Sequence, residues 1–239
     1  KGTFPENHSH WLWCSLGSSM PVDRKIIYEK TKLLIIIGNK LSELSTSHFF
    51  TYFPENTFHI SHNPGECFFT KNIWGHASDC IDYLCMLSSN NKKHKPPKKN
   101  TIQTPFPLIS QLNNKYPNAI ICTDSGNTTP YVSEAWRSLQ NNTFFSPTDY
   151  SAMGFSLPAS FGAYENTRYN IAFVGDGAFL MNYQILEKLK KCNKSIIVVF
   201  RDHELGMIKG IQEKTNQNVS GTLLPNYNLE QFANLFHIS

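Results

Sequence analysis

Ile171-Ala-Phe-Val-Gly-Asp-Gly-Ala-Phe-Leu-Met-Asn182, together with its echo Ile196-Ile-Val-Val-Phe-Arg-Asp-His-Glu-Leu-Gly206, decides what fold this chain can adopt. Each copy opens with a short apolar run, rich in β-branched residues, that stops at a carboxylate. Runs of that length and composition are expected to be buried parallel strands. Between them, Asn182 to Asn193 reads as a helix, with Ile185, Leu186 and Leu189 on one face and Lys188, Lys190 and Lys191 outside. The result is a strand–helix–strand unit whose crossover should be right-handed. It sets Asp176 and Asp202 at the carboxyl ends of strands in one sheet, where open α/β folds bind ligands. Gly175 and Gly177 are expected to let the backbone turn tightly and come close to that ligand. Two hard oxygen donors beside exposed main-chain N–H groups suit a divalent cation carrying a diphosphate.

Upstream, Ala119-Ile-Ile-Cys-Thr-Asp124 is a further strand ending in an acid and a glycine turn, Asp124-Ser-Gly-Asn-Thr-Thr129. On its own this is a strand-to-helix turn with Thr128 or Thr129 as N-cap. A helix is expected to start at Thr104, with Ile109 and Leu112 facing the core. Small residues around Met153 and Gly154 precede another through Ala159, Phe161 and Ala163. After Gly206, Met207 to Lys214 is helical, Asn216 to Leu224 a polar loop, and Leu229 to Phe236 a short amphipathic helix. In the amino-terminal half, Lys32 to Asn39 and Thr57 to Ser61 read as strands and Asp79 to Leu87 as a helix. Ser88 to Thr104 is polar and aperiodic, a linker between domains.

With 239 residues, 40% hydrophobic and 17% charged, the chain is globular and long enough for one large or two ordinary domains. No apolar run approaches the roughly 18–20 residues that span a bilayer, and Lys1-Gly-Thr-Phe-Pro-Glu6 has no signal-peptide character. The net charge of +4 comes partly from Lys92 to Lys99, read as a solvated linker and not a nucleic-acid contact. The six cysteines (14, 67, 80, 85, 122, 192) lack metal-type spacing, which points to reduced thiols and a cytoplasmic location. His8, His10, His59 and His62 are scattered over a loop and a strand, as ordinary surface or core histidines are.

Gly175-Asp176-Gly177, followed 26 positions after Asp176 by a second oxygen ligand, resembles the thiamine-diphosphate fingerprint of 2-oxo-acid enzymes. The flanking Gly-Asp-Gly-Ala-Phe-Leu-Met-Asn and Glu-Leu-Gly-Met-Ile-Lys are most similar to its acetolactate synthase branch. The resemblance implies an α/β protein with parallel sheets flanked by helices, in two incomplete Rossmann-like domains. Residues 1–87 would be the family's middle domain, entered after its start, with 88–104 the linker. Residues 105–239 would be the diphosphate-binding domain, stopping before its end. Lys1 to His8, the strand into Gly38, and His59 to Pro64 resemble landmarks of the middle domain. That domain carries flavin in some relatives and is only structural in others, so FAD stays open.

The same resemblance assigns roles. Asp176, Asp202 and the Glu204 carbonyl would hold Mg²⁺. Gly175, Gly177 and Ala178 would meet the diphosphate, together with Asn127 and Thr128. Leu205, Gly206 and Met207 would complete the cofactor wall. Met153 would be the apolar wedge that keeps the cofactor bent, and the Ser151 carbonyl would accept from its aminopyrimidine. Such a bend is a proximity effect. Two departures are visible: Asp202 stands where the family has Asn, within Arg201-Asp202 in place of the usual Asn pair, and Ser151 stands where Gly is common. No catalytic residue can be assigned, because the activating glutamate of the family lies on a domain not represented here. Residues 1–239 alone are therefore expected to bind the cofactor weakly and to turn over no pyruvate. The implied chemistry is decarboxylation of a 2-oxo acid such as pyruvate and carboligation to an acetohydroxy acid, in a homodimer or homotetramer with sites between subunits. A decarboxylase or oxidase of the same family, or a non-catalytic subunit keeping the fold, are the alternatives. A nicotinamide dinucleotide binder is disfavoured by the lack of a glycine fingerprint after any expected strand.

Overall fold

Apolar strands gain burial by pairing edge to edge and by packing helices on their faces, and the described residues form two such parallel sheets. The computed structural model describes residues 6, 22–39, 53–63, 71–87, 107–148, 150–215 and 218–238. The chain divides into two compact units, Ser9–Pro97 and Lys98–Ser239, the latter together with Lys1–His8.

In the first unit, β1 (Leu34–Ile37), β2 (Thr57–Ser61) and β3 (Lys71–Trp74) form a parallel sheet in that order, with α1 (Val22–Glu29) and α2 (Ala77–Leu87). Ile36 lies opposite His59 and Ile37 opposite Ile60. His59 is fully buried and its Nε2 is 2.9 Å from the Asn39 carbonyl oxygen, as a core histidine would be. His62 stacks on His76 at 6.0 Å between centroids. His8, His10, the linker at 88–104 and the lysine run within it lie outside the described residues, as do 104–106 ahead of the next helix.

The second unit is built on β6 (Asn170–Gly175), five of whose six residues are buried. It pairs in parallel with β4 (Ile120–Thr123) on one side and β7 (Ser195–Phe200) on the other; β5 (Phe144–Phe145) completes the order β5-β4-β6-β7. Alternation along β6 divides the core. Ile171 and Phe173 face Ile109, Ile121, Val132 and Trp136, from β4, α3 (Pro107–Lys115), α4 (Thr128–Ala135) and its C-cap. Ala172 and Val174 face Leu157, Phe179, Leu186 and Leu189. Those come from α5 (Ser156–Gly162), α6 (Asp176–Asn182) and α7 (Leu186–Leu189). α8 (Gly206–Lys214) follows β7, and α9 (Leu229–Phe236) lays Phe232 and Phe236 on the second face.

One expectation is corrected. The helix after β6 does not begin at Asn182. It begins at Asp176, directly after the strand, and continues through a 3₁₀ turn at Tyr183–Ile185 into α7. The two glycines suggested a turn, yet neither has a positive φ. Gly177 lies in the first helical turn, where a Cβ would come within 2.9 Å of Leu205 and 3.3 Å of Leu224. Its lack of a side chain is a packing requirement. β7 also stops at Phe200, two residues before Asp202.

Phe173 is fully buried, edge-on to Trp136 and stacked at 6.1 Å on Phe200. Phe173→Ala is expected to cost about 3 to 5 kcal/mol of stability, measured by denaturant unfolding.

Candidate functional site

The chain runs from β4 outward to β5, then crosses back to β6 on the other side of β4. The crevice between the carboxyl ends of β4 and β6 is thus a topological switch point, where such sheets leave room for a ligand. Three strand-end loops converge on it.

The first follows β4. Asp124 is fully buried, and its carboxylate accepts three main-chain N–H bonds: Ser125 at 2.8 Å and Gly154 at 2.9 Å on Oδ1, Ser156 at 2.7 Å on Oδ2. The last two reach across to the Met153 loop and fix it against β4. Gly154 has φ +85°, and a Cβ there would meet Asn182 Nδ2 at 2.6 Å; the same amide donates to the Gly154 carbonyl at 2.8 Å. Thr129 donates its hydroxyl to the Asp124 carbonyl at 2.6 Å. The N-cap of α4 is Asn127, one residue before the expected threonines, and its side chain makes no cap bond. Asn127 and Thr128 remain on the crevice.

The second loop is the start of α6. Asp176 is 3% exposed; Oδ1 accepts from Gly177 N–H at 2.9 Å and Oδ2 from His203 N–H at 2.8 Å. Gly177 N–H, expected to face a diphosphate, is therefore taken by the adjacent carboxylate. Ala178 occupies the third helical position, where no intrahelical acceptor exists.

The third loop follows β7. His203 takes a left-handed φ of 62°. Leu205 N–H donates to the Thr222 carbonyl at 2.7 Å, and Leu224 N–H to the His203 carbonyl at 3.0 Å. These bonds flank the antiparallel bridge Glu204–Leu223, so the N–H and C=O of Glu204 point away from the 222–224 segment. Glu204 N–H donates to Asp202 Oδ1 at 3.2 Å, while the Glu204 side chain pairs with Lys209 at 2.6 Å, which raises the Lys209 pKa. A Cβ on Gly206 would lie 2.5 Å from Asp202 Oδ2.

Together the loops enclose a cleft of about 380 Å³. Every residue the resemblance assigned lines it except Ser151. Ser151 sits one step behind, its hydroxyl 2.9 Å from that of Ser125, which does line the cleft. Ser151 has φ 51°, a left-handed conformation that explains why glycine suits the position. Met153 is 38% exposed, an apolar side chain presented to the cleft and not packed away in the core.

Sequence patterns missed the clamp Asp124, the lining residues Ser125, Gly126, Tyr131, Phe200 and Ile208, and Tyr227; Arg201 was noted only as a departure from the family pattern, and it too lines the cleft. The Tyr227 hydroxyl donates to the Asp176 carbonyl at 3.0 Å. Burial pushes its pKa up to about 12; the Asp176 charge adds to this and Arg201 opposes it. The hydroxyl thus stays a donor at neutral pH.

Among the described residues, no three His, Cys, Asp or Glu side chains form a metal-binding group. The set here is different: two carboxylates, each with oxygen lone pairs left over, and a main-chain carbonyl. Those hard oxygens fit Mg²⁺. Among the described residues, no helix is long and apolar enough to cross a membrane.

Residues 124–239 match the family described as "Thiamine pyrophosphate enzyme, C-terminal TPP binding domain". The chain is 26% identical over 248 residues to the probable acetolactate synthase large subunit of Methanocaldococcus jannaschii, covering 87% of this chain and 41% of that protein. It is 30% identical over 111 residues to the acetolactate synthase isozyme 2 large subunit of Escherichia coli, covering 44% of this chain and 20% of that protein. The crystal structure of benzoylformate decarboxylase from Polynucleobacter necessarius shares the fold, with a TM-score of 0.73 at 19% identity over 98% of this chain and 48% of that one. The chain spans less than half the length of each of these proteins.

Asp124→Asn replaces one acceptor oxygen with a donor facing a main-chain N–H. It is expected to cost about 3 kcal/mol in denaturant unfolding.

Proposed function

We propose that the cleft binds thiamine diphosphate through Mg²⁺, a reading supported by the match of residues 124–239 to the C-terminal TPP binding domain of thiamine pyrophosphate enzymes. The observation that carries this is the meeting of three strand-end loops at the switch point. They make Asp176, Asp202, Glu204 and Met153 part of the lining of a single cleft. Asp176 and Asp202 would supply carboxylate oxygens to the cation. Ala178 N–H, Asn127 and Thr128 would donate to the diphosphate, and Met153 would offer a polarizable apolar surface to a ring system. Bound there, the cofactor would supply the means of stabilising a carbanion next to a carbonyl carbon.

The reaction we assign is decarboxylation of a 2-oxo acid such as pyruvate, with carboligation to an acetohydroxy acid. The acetolactate synthase subunits among the relatives support that choice over simple decarboxylation. A homodimer or homotetramer follows from the same reading, as does a reducing cytoplasm, in which Cys80, Cys85, Cys122 and Cys192 stay thiols.

Calorimetric titration of the chain with thiamine diphosphate, with and without Mg²⁺, tests the assignment. Binding is expected to require Mg²⁺ and to vanish in Asp176→Ala. Gly206→Ala is expected to keep the fold, since the flexible Asp202 side chain can swing away from the new methyl group. It should nevertheless lose at least tenfold in affinity, roughly the loss of one charged ligand. Because residues 1–239 alone are expected to bind weakly, the titration is run on the longest available form of this chain, and absence of Mg²⁺-dependent binding by a full-length form would turn the assignment toward a subunit that keeps the fold without the chemistry.

A further inference from the structure

Tyr227 does not line the cleft, yet it touches the cation loops from behind. It follows Asp176 by 51 positions and gives its hydroxyl to the Asp176 main-chain carbonyl at 3.0 Å. Its ring is held on three sides. It stacks on Phe179 of α6 at 6.1 Å with the planes 8° apart, and meets Phe232 of α9 edge-on at 5.6 Å. The guanidinium of Arg201, in the loop after β7, lies 5.1 Å from the ring centroid. The same guanidinium donates to Asn226 Oδ1 at 3.1 Å and to the Tyr227 carbonyl. One arginine therefore grips both the ring and the backbone of the residue whose hydroxyl ends on Asp176.

We infer that Tyr227 is a positioning residue for the Asp176 carboxylate, and that Arg201 locks it in place. The inference rests on the cation-site assignment above. Asp176 is the first residue of α6, so a small rotation of its peptide would swing the carboxylate. Three bonds oppose this: Gly177 N–H on Oδ1, His203 N–H on Oδ2 and the tyrosine hydroxyl on the main-chain oxygen. The first two occupy one lone pair on each carboxylate oxygen, and each oxygen keeps another for a cation. The third consumes nothing the cation needs. It joins α6 to the segment that also ladders with the loop after β7, so both aspartates are referred to one strip of backbone, Thr222 to Tyr227.

The test is Mn²⁺ binding in the presence of thiamine diphosphate, followed by the loss of the free-ion paramagnetic signal, alongside the thermal midpoint of the metal-free chain. Tyr227→Phe keeps the ring contacts and removes only the hydroxyl bond. It is expected to weaken Mn²⁺ by roughly fivefold, the weight of one hydrogen bond. Arg201→Lys keeps the charge but loses the planar fork that reaches two acceptors. It should act in the same direction, and the double variant should be no weaker than the worse single one, because both changes open the same lock. If each single variant binds Mn²⁺ within roughly twofold of the parent while its midpoint falls, Tyr227 is a packing residue and the inference is overturned. If Tyr227→Phe does not fold, Arg201→Lys decides alone by the same criterion. A parent chain that binds no Mn²⁺ overturns the cation-site assignment and this inference with it.

Discussion

A carboxylate at the end of a buried strand must find donors, because burying a polar group without partners costs several kcal/mol. In the second unit this requirement is met twice, on neighbouring strands. Asp124 takes three main-chain N–H groups and Asp176 takes two. In each case the donors come partly from a distant loop, so each acid draws a second segment to the end of its strand. Asp124 brings in the Met153 loop; Asp176 brings in the loop after β7. The cleft exists because these loops are tied down at the one place in the sheet where the chain changes direction across it. The two acids differ in what remains. Asp124 has no exposure and serves the fold. Asp176 lines the cleft and keeps oxygen capacity toward it.

β4, β6 and β7 were legible in the sequence because each is an apolar run followed closely by an acid, although only β4 and β6 are buried and every residue of β7 is half-buried. Leu186 and Leu189 were legible as well, since both are buried where helical spacing put them. The start of α6 was not. Glycine at 175 and 177 mimics a turn, and only the three-dimensional contact with Leu205 and Leu224 reveals that Gly177 is a matter of space. β5, with two residues, is too short for any periodicity, and β3 carries Lys71 and Asn72 among its four residues, so hydropathy does not mark it.

The site was legible through motif spacing as far as the residues facing the cleft. What supports them was not. Asp124 meets Ser156 across 32 positions and Tyr227 meets Asp176 across 51, and no local pattern encodes either meeting. Ser151 is intermediate. Its departure from glycine was visible, but its left-handed backbone, which gives the departure meaning, was not. The φ of 51° puts a side chain where most residues resist it, and the hydroxyl contact to Ser125 gives that side chain a place.

The strip from Thr222 to Tyr227 also has a kinetic meaning. Contacts between residues far apart in sequence close late, because loop entropy must be overcome before they repay it. Of the strip, Tyr227 packs against the core cluster that covers one face of β6, whereas the opposite face is covered without it. A chain with its core consolidated and residues 222–227 still undocked would have Asp176 and Asp202 present but unregistered. On the cation-site assignment proposed above, cation affinity would then report the docking of this strip, since both aspartates are registered by it.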